Sequence, residues 1–220
     1  MALPIDLHNA LSDFMRTNGS SNDLYNEISL QLELGIYLRK LYGSSGYKVQ
    51  FERNINSFHP ISTPSGGFVK KEIDIVIFNG DKDNFNGDKD KPEKSTERYA
   101  IELKFPVNGQ YPEEMYAFVT DMQFMEEVKV HAGFKETYCI TLVEDPKFHT
   151  GASCQCDRKG IYQYFRGDKR KHCPVRILGP MYKPTGTGKE VDYRQVASGP
   201  TINWQTPSGS TVRRYYILKF

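Results

Sequence analysis

The sequence contains no apolar run near the roughly 18 residues that cross a bilayer, so no membrane span and no membrane partner are expected. It also lacks a strong charge of either sign: 29 basic residues against 27 acidic ones leave a formal net charge of +2. Composition alone therefore carries no electrostatic mark of a nucleic-acid binder, and any such partner must be argued from a local patch. Cysteine is scarce, with Cys139, Cys154, Cys156 and Cys173 making up the four. The stretch MALPIDLHNALSDFM carries acid where a secretory leader carries base, and it reads as a short helix. A cytoplasmic protein with reduced thiols is the expectation, not a disulfide framework. What is present is a globular composition: 220 residues, 38% hydrophobic, 25% charged and 13% aromatic. That length suits one domain with one sizeable core.

Periodicity then divides the chain. NGSSNDLYNEISLQLELGIYLRKLYG opens on a Gly-Ser-Ser-Asn capping cluster and closes on Gly43 after Arg39 and Lys40. Between them Leu24, Ile28, Gln31, Leu34 or Gly35, and Leu38 recur at helical spacing, predicting an amphipathic helix of about five turns. YKVQFER alternates Tyr47, Val49 and Phe51 with Lys48, Gln50 and Glu52, the pattern of a strand with one wet face. KKEIDIVIF is a second strand, with Ile73, Ile75 and Ile77 assigned to one face and Asp74, Val76 and Phe78 to the other. RYAIELKF is a third, PEEMYAFVTDMQFMEEVKVHAG a second long helix, and TYCITLVED a fourth strand. The order is αβββαβ over about residues 23–145. Beyond it, residues 146–220 read as a β-rich extension in which IYQYFR, VRILGPMY and TVRRYYILKF are short strands between turn-rich loops.

Several tempting motifs do not hold together. FNGDKD occurs twice, at 78–83 and 85–90, and its aspartates suggest calcium. Counting Asp81 as the first ligand position puts Phe85 where the fifth needs an oxygen, Asn86 where the turn glycine belongs, and Glu93 one residue too late. A solvated hairpin excursion is the better reading. His149, Cys154, Cys156, His172 and Cys173 are zinc-type ligands, but their pairs are spaced more tightly than the gaps of structural zinc sites. GPMYKPTGTGKE lacks the Ser or Thr after Gly188-Lys189 that a phosphate loop requires, and reads as a glycine-rich turn.

The informative feature is charge inside apolar strands. Glu102 and Lys104, two apart, project from one face of a run that also contains Ile101, Leu103 and Phe105, while Asp74 interrupts an isoleucine-rich neighbour. Ionisable groups at strand centres are costly unless paired or bound to a metal. An exposed ion network is the plain alternative, and it adds little stability. The chemical alternative uses all three: Asp74 and Glu102, with the Leu103 carbonyl, hold a hard divalent cation such as Mg2+, and Lys104 orients or deprotonates an attacking water. Such an apparatus hydrolyses phosphodiesters.

Asp74 followed by Glu102-Leu103-Lys104, between one acidic helix and another helix and strand, resembles the PD-(D/E)xK nuclease superfamily, the restriction-endonuclease-like group. Ile73 stands where the name-giving proline would be. The resemblance implies a mixed central sheet flanked by helices and magnesium-dependent cleavage of double-stranded DNA, with Mn2+ able to substitute. It implies metal-binding roles for Asp74 and Glu102 and a catalytic role for Lys104. It also implies an acid on the first helix, for which Glu27 and Glu33 are candidates. Helical phase favours Glu27, which shares a stripe with Gln31, Leu34 and Leu38. Gln31, Asp121 and Gln123 are candidates for supporting positions.

For the DNA backbone, DRKGIYQYFRGDKRKH interleaves Arg158, Lys159, Arg166, Lys169, Arg170 and Lys171 with Tyr162, Tyr164 and Phe165, with Arg213 and Arg214 as possible additions. Basic groups neutralise phosphates and aromatics stack on bases. Cutting both strands suits a symmetric homodimer. The alternative function is a catalytically inactive nuclease-like DNA-binding protein.

Overall fold

The computed structural model describes residues 5–58, 60–79, 97–107, 109–151, 161–167 and 196–220. Helix α1 (Leu7–Asn18) starts where the Asp6 side chain accepts the Asn9 amide. Helix α2 (Glu27–Tyr42) is capped by Asn26, not by the upstream Gly-Ser-Ser-Asn cluster. The Asn26 side chain accepts the Ser29 amide at 2.8 Å and the Ser29 hydroxyl accepts the Asn26 amide at 3.0 Å, a reciprocal cap. Its C-terminus is at Gly43, as the sequence suggests, and a short 3-10 turn follows it. Helix α3 (Tyr111–His131) has Pro112 and two glutamates in its first turn and Lys129 and His131 in its last, matching the helix dipole at both ends.

Five strands, β1 (Tyr47–Asn54), β2 (Glu72–Asn79), β3 (Arg98–Lys104), β4 (Glu136–Val143) and β5 (Arg214–Lys219), form one sheet in sequential order. Only the β3–β4 pair is parallel. That pair needs a crossover, and α3 supplies it. The result is an α/β fold with a mixed open sheet between helical layers. Against α1 and α2 pack Ile75, Ile77, Tyr99, Ile101, Leu103, Ile140 and Leu142. Against α3 pack Val76, Phe78, Ala100, Cys139, Val143, Tyr216 and Leu218. Both faces are covered, which is why β2, β3 and β4 are nearly continuous apolar runs. Among the described residues no helix is long and apolar enough to cross a membrane.

Three expectations need correction. Ile28 is 72% exposed, with Leu32 and Ile36 beside it on the outer face of α2, because Leu30, Leu34 and Leu38 form the buried stripe. The terminal segment is no appendage: β5 is the fifth strand of the central sheet, antiparallel to β4 from Tyr138↔Lys219 to Val143↔Arg214. IYQYFR is not a strand, since Tyr162–Phe165 makes one helical turn, α4, that buries Phe165 against α3. VRILGPMY, the glycine-rich turn, the second FNGDKD copy, and Cys154, Cys156, His172 and Cys173 lie outside the described residues. Cys139 is a buried thiol of β4, and the His149 ring packs 5.8 Å from Trp204.

Candidate active site

The sheet loses its regularity at Asp74. The β1–β2 ladder pairs Phe51 with Ile75 and Arg53 with Ile73, stepping over Glu52 and Asp74 between them. Glu52 has φ of 49°, the one positive value on a non-glycine residue among those described, a conformation L side chains adopt at a cost. On the other side, the β2–β3 ladder ends at Ile75↔Ile101. Side chains then replace the missing rungs. The Asp74 amide donates to Glu102 Oε1 at 3.3 Å, and the Leu103 amide donates to Asp74 Oδ2 at 2.7 Å. Gln31, reaching down from α2, donates to the Asp74 carbonyl at 2.9 Å and to Glu52 Oε1 at 2.5 Å. This kink also explains why Ile73 packs on the α3 side with Val76 and Phe78, instead of with Ile75 and Ile77 as strict alternation predicts.

Around the kink gather four carboxylates and two ammonium groups. Glu102 is 1% exposed and Asp121, from the middle of α3, is 4% exposed. Lys70, from the segment before β2, donates to Glu102 Oε2 and, at 3.0 Å, to Asp121 Oδ1. Lys104, the last residue of β3, lies 3.1 Å from Glu27 Oε1, 3.5 Å from Asp121 Oδ2 and 3.1 Å from the Leu103 carbonyl. The other Glu27 oxygen accepts the Phe105 amide at 3.4 Å. The acid of α2 that reaches Lys104 is thus Glu27, which leaves from its first turn toward the end of β3.

Charge and burial set the protonation of this cluster. Burial pushes the Asp74 carboxyl up to about 6, against the Leu103 amide and the two lysines that pull it down. Burial, then the Asp74 and Asp121 charges, raise Glu102 well above the carboxylate range. Lys70 and Lys104 are both raised: burial acts to lower them and is outweighed by Asp121 with Glu102 for the first and by Asp121 with Glu27 for the second. Glu114, in the first turn of α3, is raised by burial while Lys104 pulls it back, so it feels the same cluster.

Sequence reading brings Asp74, Glu102, Leu103, Lys104, Glu27, Gln31 and Asp121 to this place, and all seven are here. Gln123 is not: its amide donates to Glu127 Oε1 at 2.8 Å, and Glu127 Oε2 accepts the Val69 amide at 3.1 Å, so it braces the segment leading to Lys70. Lys70, Glu52 and Glu114 were missed. Lys70 and Glu114 precede or begin an element, where alternation gives no signal; Glu52 reads as an ordinary wet-face residue until its backbone is seen. Of the basic segment, Arg158, Lys159, Lys169, Arg170 and Lys171 lie outside the described residues. Arg166 donates to the Lys147 carbonyl at 2.7 Å and stacks 3.5 Å from the Tyr162 ring centre. Arg213 is no phosphate ligand: it is buried, donating to the carbonyls of Gly19, Ser21 and Leu24 and to Glu144. Arg214 donates back to the Arg213 carbonyl.

Among the described residues no three His, Cys, Asp or Glu side chains form a ready-made metal cage. The donor set is nonetheless of the right chemistry. Carboxylate oxygens of Glu102 and Asp121 meet at Lys70, Asp74 is joined to Glu102 and Leu103 through main-chain amides, and two ammonium groups stand among the four carboxyl groups. Asp121 Oδ2 is buried and accepts no hydrogen bond. No family model, curated protein or solved structure matches the chain.

Proposed function

We propose that this cluster is the centre of a metal-dependent DNA endonuclease with a restriction-endonuclease-like core, acting on phosphodiester bonds of double-stranded DNA. The observation that carries the reading is the exchange between two strand ends that have lost their ladder, the Asp74 amide donating to the Glu102 carboxylate and the Leu103 amide to the Asp74 carboxylate, with Lys104 next in the chain. A surface ion network has no need of a buried glutamate or a broken ladder; a site that must present oxygens to a ligand does. Asp74 and Glu102 would hold Mg2+ or Mn2+, with Asp121 and the Leu103 carbonyl close by. Such a cation, when bound, polarises a phosphoryl oxygen and offsets the negative charge that develops on it.

The chain's own groups do the rest. Lys104, kept protonated by Asp121 and Glu27, is a fixed positive charge at the end of β3. It suits holding the attacking water and steadying phosphoryl charge better than accepting a proton. Glu27 fixes the lysine's position, and Gln31 holds the Asp74 main chain at the kink.

The test is supercoiled plasmid incubated with the purified chain and Mg2+, beside Asp74→Ala and Lys104→Ala. Nicking or linearisation by the parent and its loss in both variants supports the enzyme. Plasmid retardation without cleavage by the parent identifies an inactive DNA-binding protein, and neither outcome with DNA leaves an interaction protein.

A further inference from the structure

Lys70 is far more open to solvent than the two carboxylates it joins. Its side chain is 28% exposed, whereas the two carboxylates it joins are 1% and 5% exposed. The carboxylates are fixed by the fold: Glu102 projects from the centre of the sheet and Asp121 from a buried turn of α3. The main chain before Lys70 is fixed as well, by the Val69 amide on Glu127. What can move is the lysine side chain, which enters the cluster from its rim past the Phe124 ring, 5.8 Å away. Its ammonium sits between Glu102, which a divalent cation would use, and Asp121 close beside that cation's place.

We propose that Lys70 is a resident counter-ion that competes with a divalent cation for Glu102 and Asp121. This inference rests on the metal-centre reading above. Two buried carboxylates with no cation between them would repel each other and carry uncompensated charge. Lys70 removes that cost in the metal-free chain and keeps the two oxygens apart at a distance one ammonium can bridge. The same contact weakens metal binding, because the ion pairs must break before a second cation can occupy the same oxygens. Lys70 therefore raises the cation concentration at which the cluster loads.

Binding of Mn2+ to the full chain, followed by the loss of the free-ion resonance signal, tests this with the parent, Lys70→Met and Lys70→Arg. Removing the charge at nearly constant length tightens Mn2+ binding by about tenfold or more, whereas arginine keeps the parent's weaker affinity. Equal or weaker binding by Lys70→Met overturns the proposal. A parent and Lys70→Met that both fail to bind Mn2+ overturn the metal centre itself, an outcome distinct from the first. A measurement on the parent alone guards against a misfolded variant: amine labelling read by mass spectrometry. Saturating Mg2+ raises Lys70 modification severalfold while Lys219, on β5, keeps its level. Labelling of Lys70 that is unchanged or reduced in a chain that binds Mn2+ overturns the competition.

Discussion

Asp74 sits where two physical demands conflict. Its carboxylate accepts the Leu103 amide, which favours the ionised form, yet burial favours the protonated one and wins, raising it to about 6 from an unperturbed 3.8. The folded chain then binds this proton more tightly than the unfolded chain. Stability from the protonated form is complete below the unfolded value and is lost as pH rises from about 4 to about 6. Between pH 5 and pH 7 the loss is about 1 kcal/mol. Urea unfolding in the presence of chelator should show the parent losing that much more than Asp74→Asn over this interval. Glu102 shifts in the same direction and is raised in part by the Asp74 charge, so the difference reports Asp74 together with its coupling to Glu102. Identical pH slopes would show that Asp74 does not carry the burial cost assigned to it.

Among the elements, α2 and β5 are tied by one side chain. Arg213, just before β5, spreads its guanidinium over three carbonyls of the α1–α2 connection and pairs with Glu144 at the end of β4. Truncation would strand those carbonyls near the protein interior, so Arg213→Ala should cost about 3 kcal/mol in chemical denaturation. Arg213→Lys should not recover it, since one ammonium cannot reproduce the planar fork. A cost under about 1 kcal/mol would mean the loop is held by other contacts. This arginine also shows where element reading fails. In RRYYILK the pair of arginines looks like a surface patch, because sequence records charge but not the distant carbonyls that the fold brings to it. Ile28 is the opposite case: apolar, correctly spaced for a stripe including Gln31, and yet on the outside, because the neighbouring stripe through Leu30, Leu34 and Leu38 is richer and takes the sheet.

For the whole molecule, the order of elements was legible since each strand of the sheet follows its predecessor in space and the helices carry clear periodicity. Glu102, Lys104 and Asp74 were legible for the same reason, as charges interrupting runs that must be buried on both sides. Lys70 was not, because its place depends on the path of a loop, and Glu114 was not, because only the fold brings the first turn of α3 within electrostatic reach of Lys104. The face switch at Ile73 also escapes any strict period of two, being a product of the Glu52 backbone. On this reading the Asp74 and Glu102 carboxylates, which accept the amides left free at the broken ladder, act as one chemical unit. The direct measurement is the rate of Mg2+-dependent plasmid cleavage by the parent, Asp74→Asn, Glu102→Gln and the double variant. Each single change should lower the rate by about a hundredfold or more, and the double should lose no more than the worse single, as expected of groups that share one site. Parental rates in either single variant, or losses that multiply in the double, would contradict a shared hydrolytic centre.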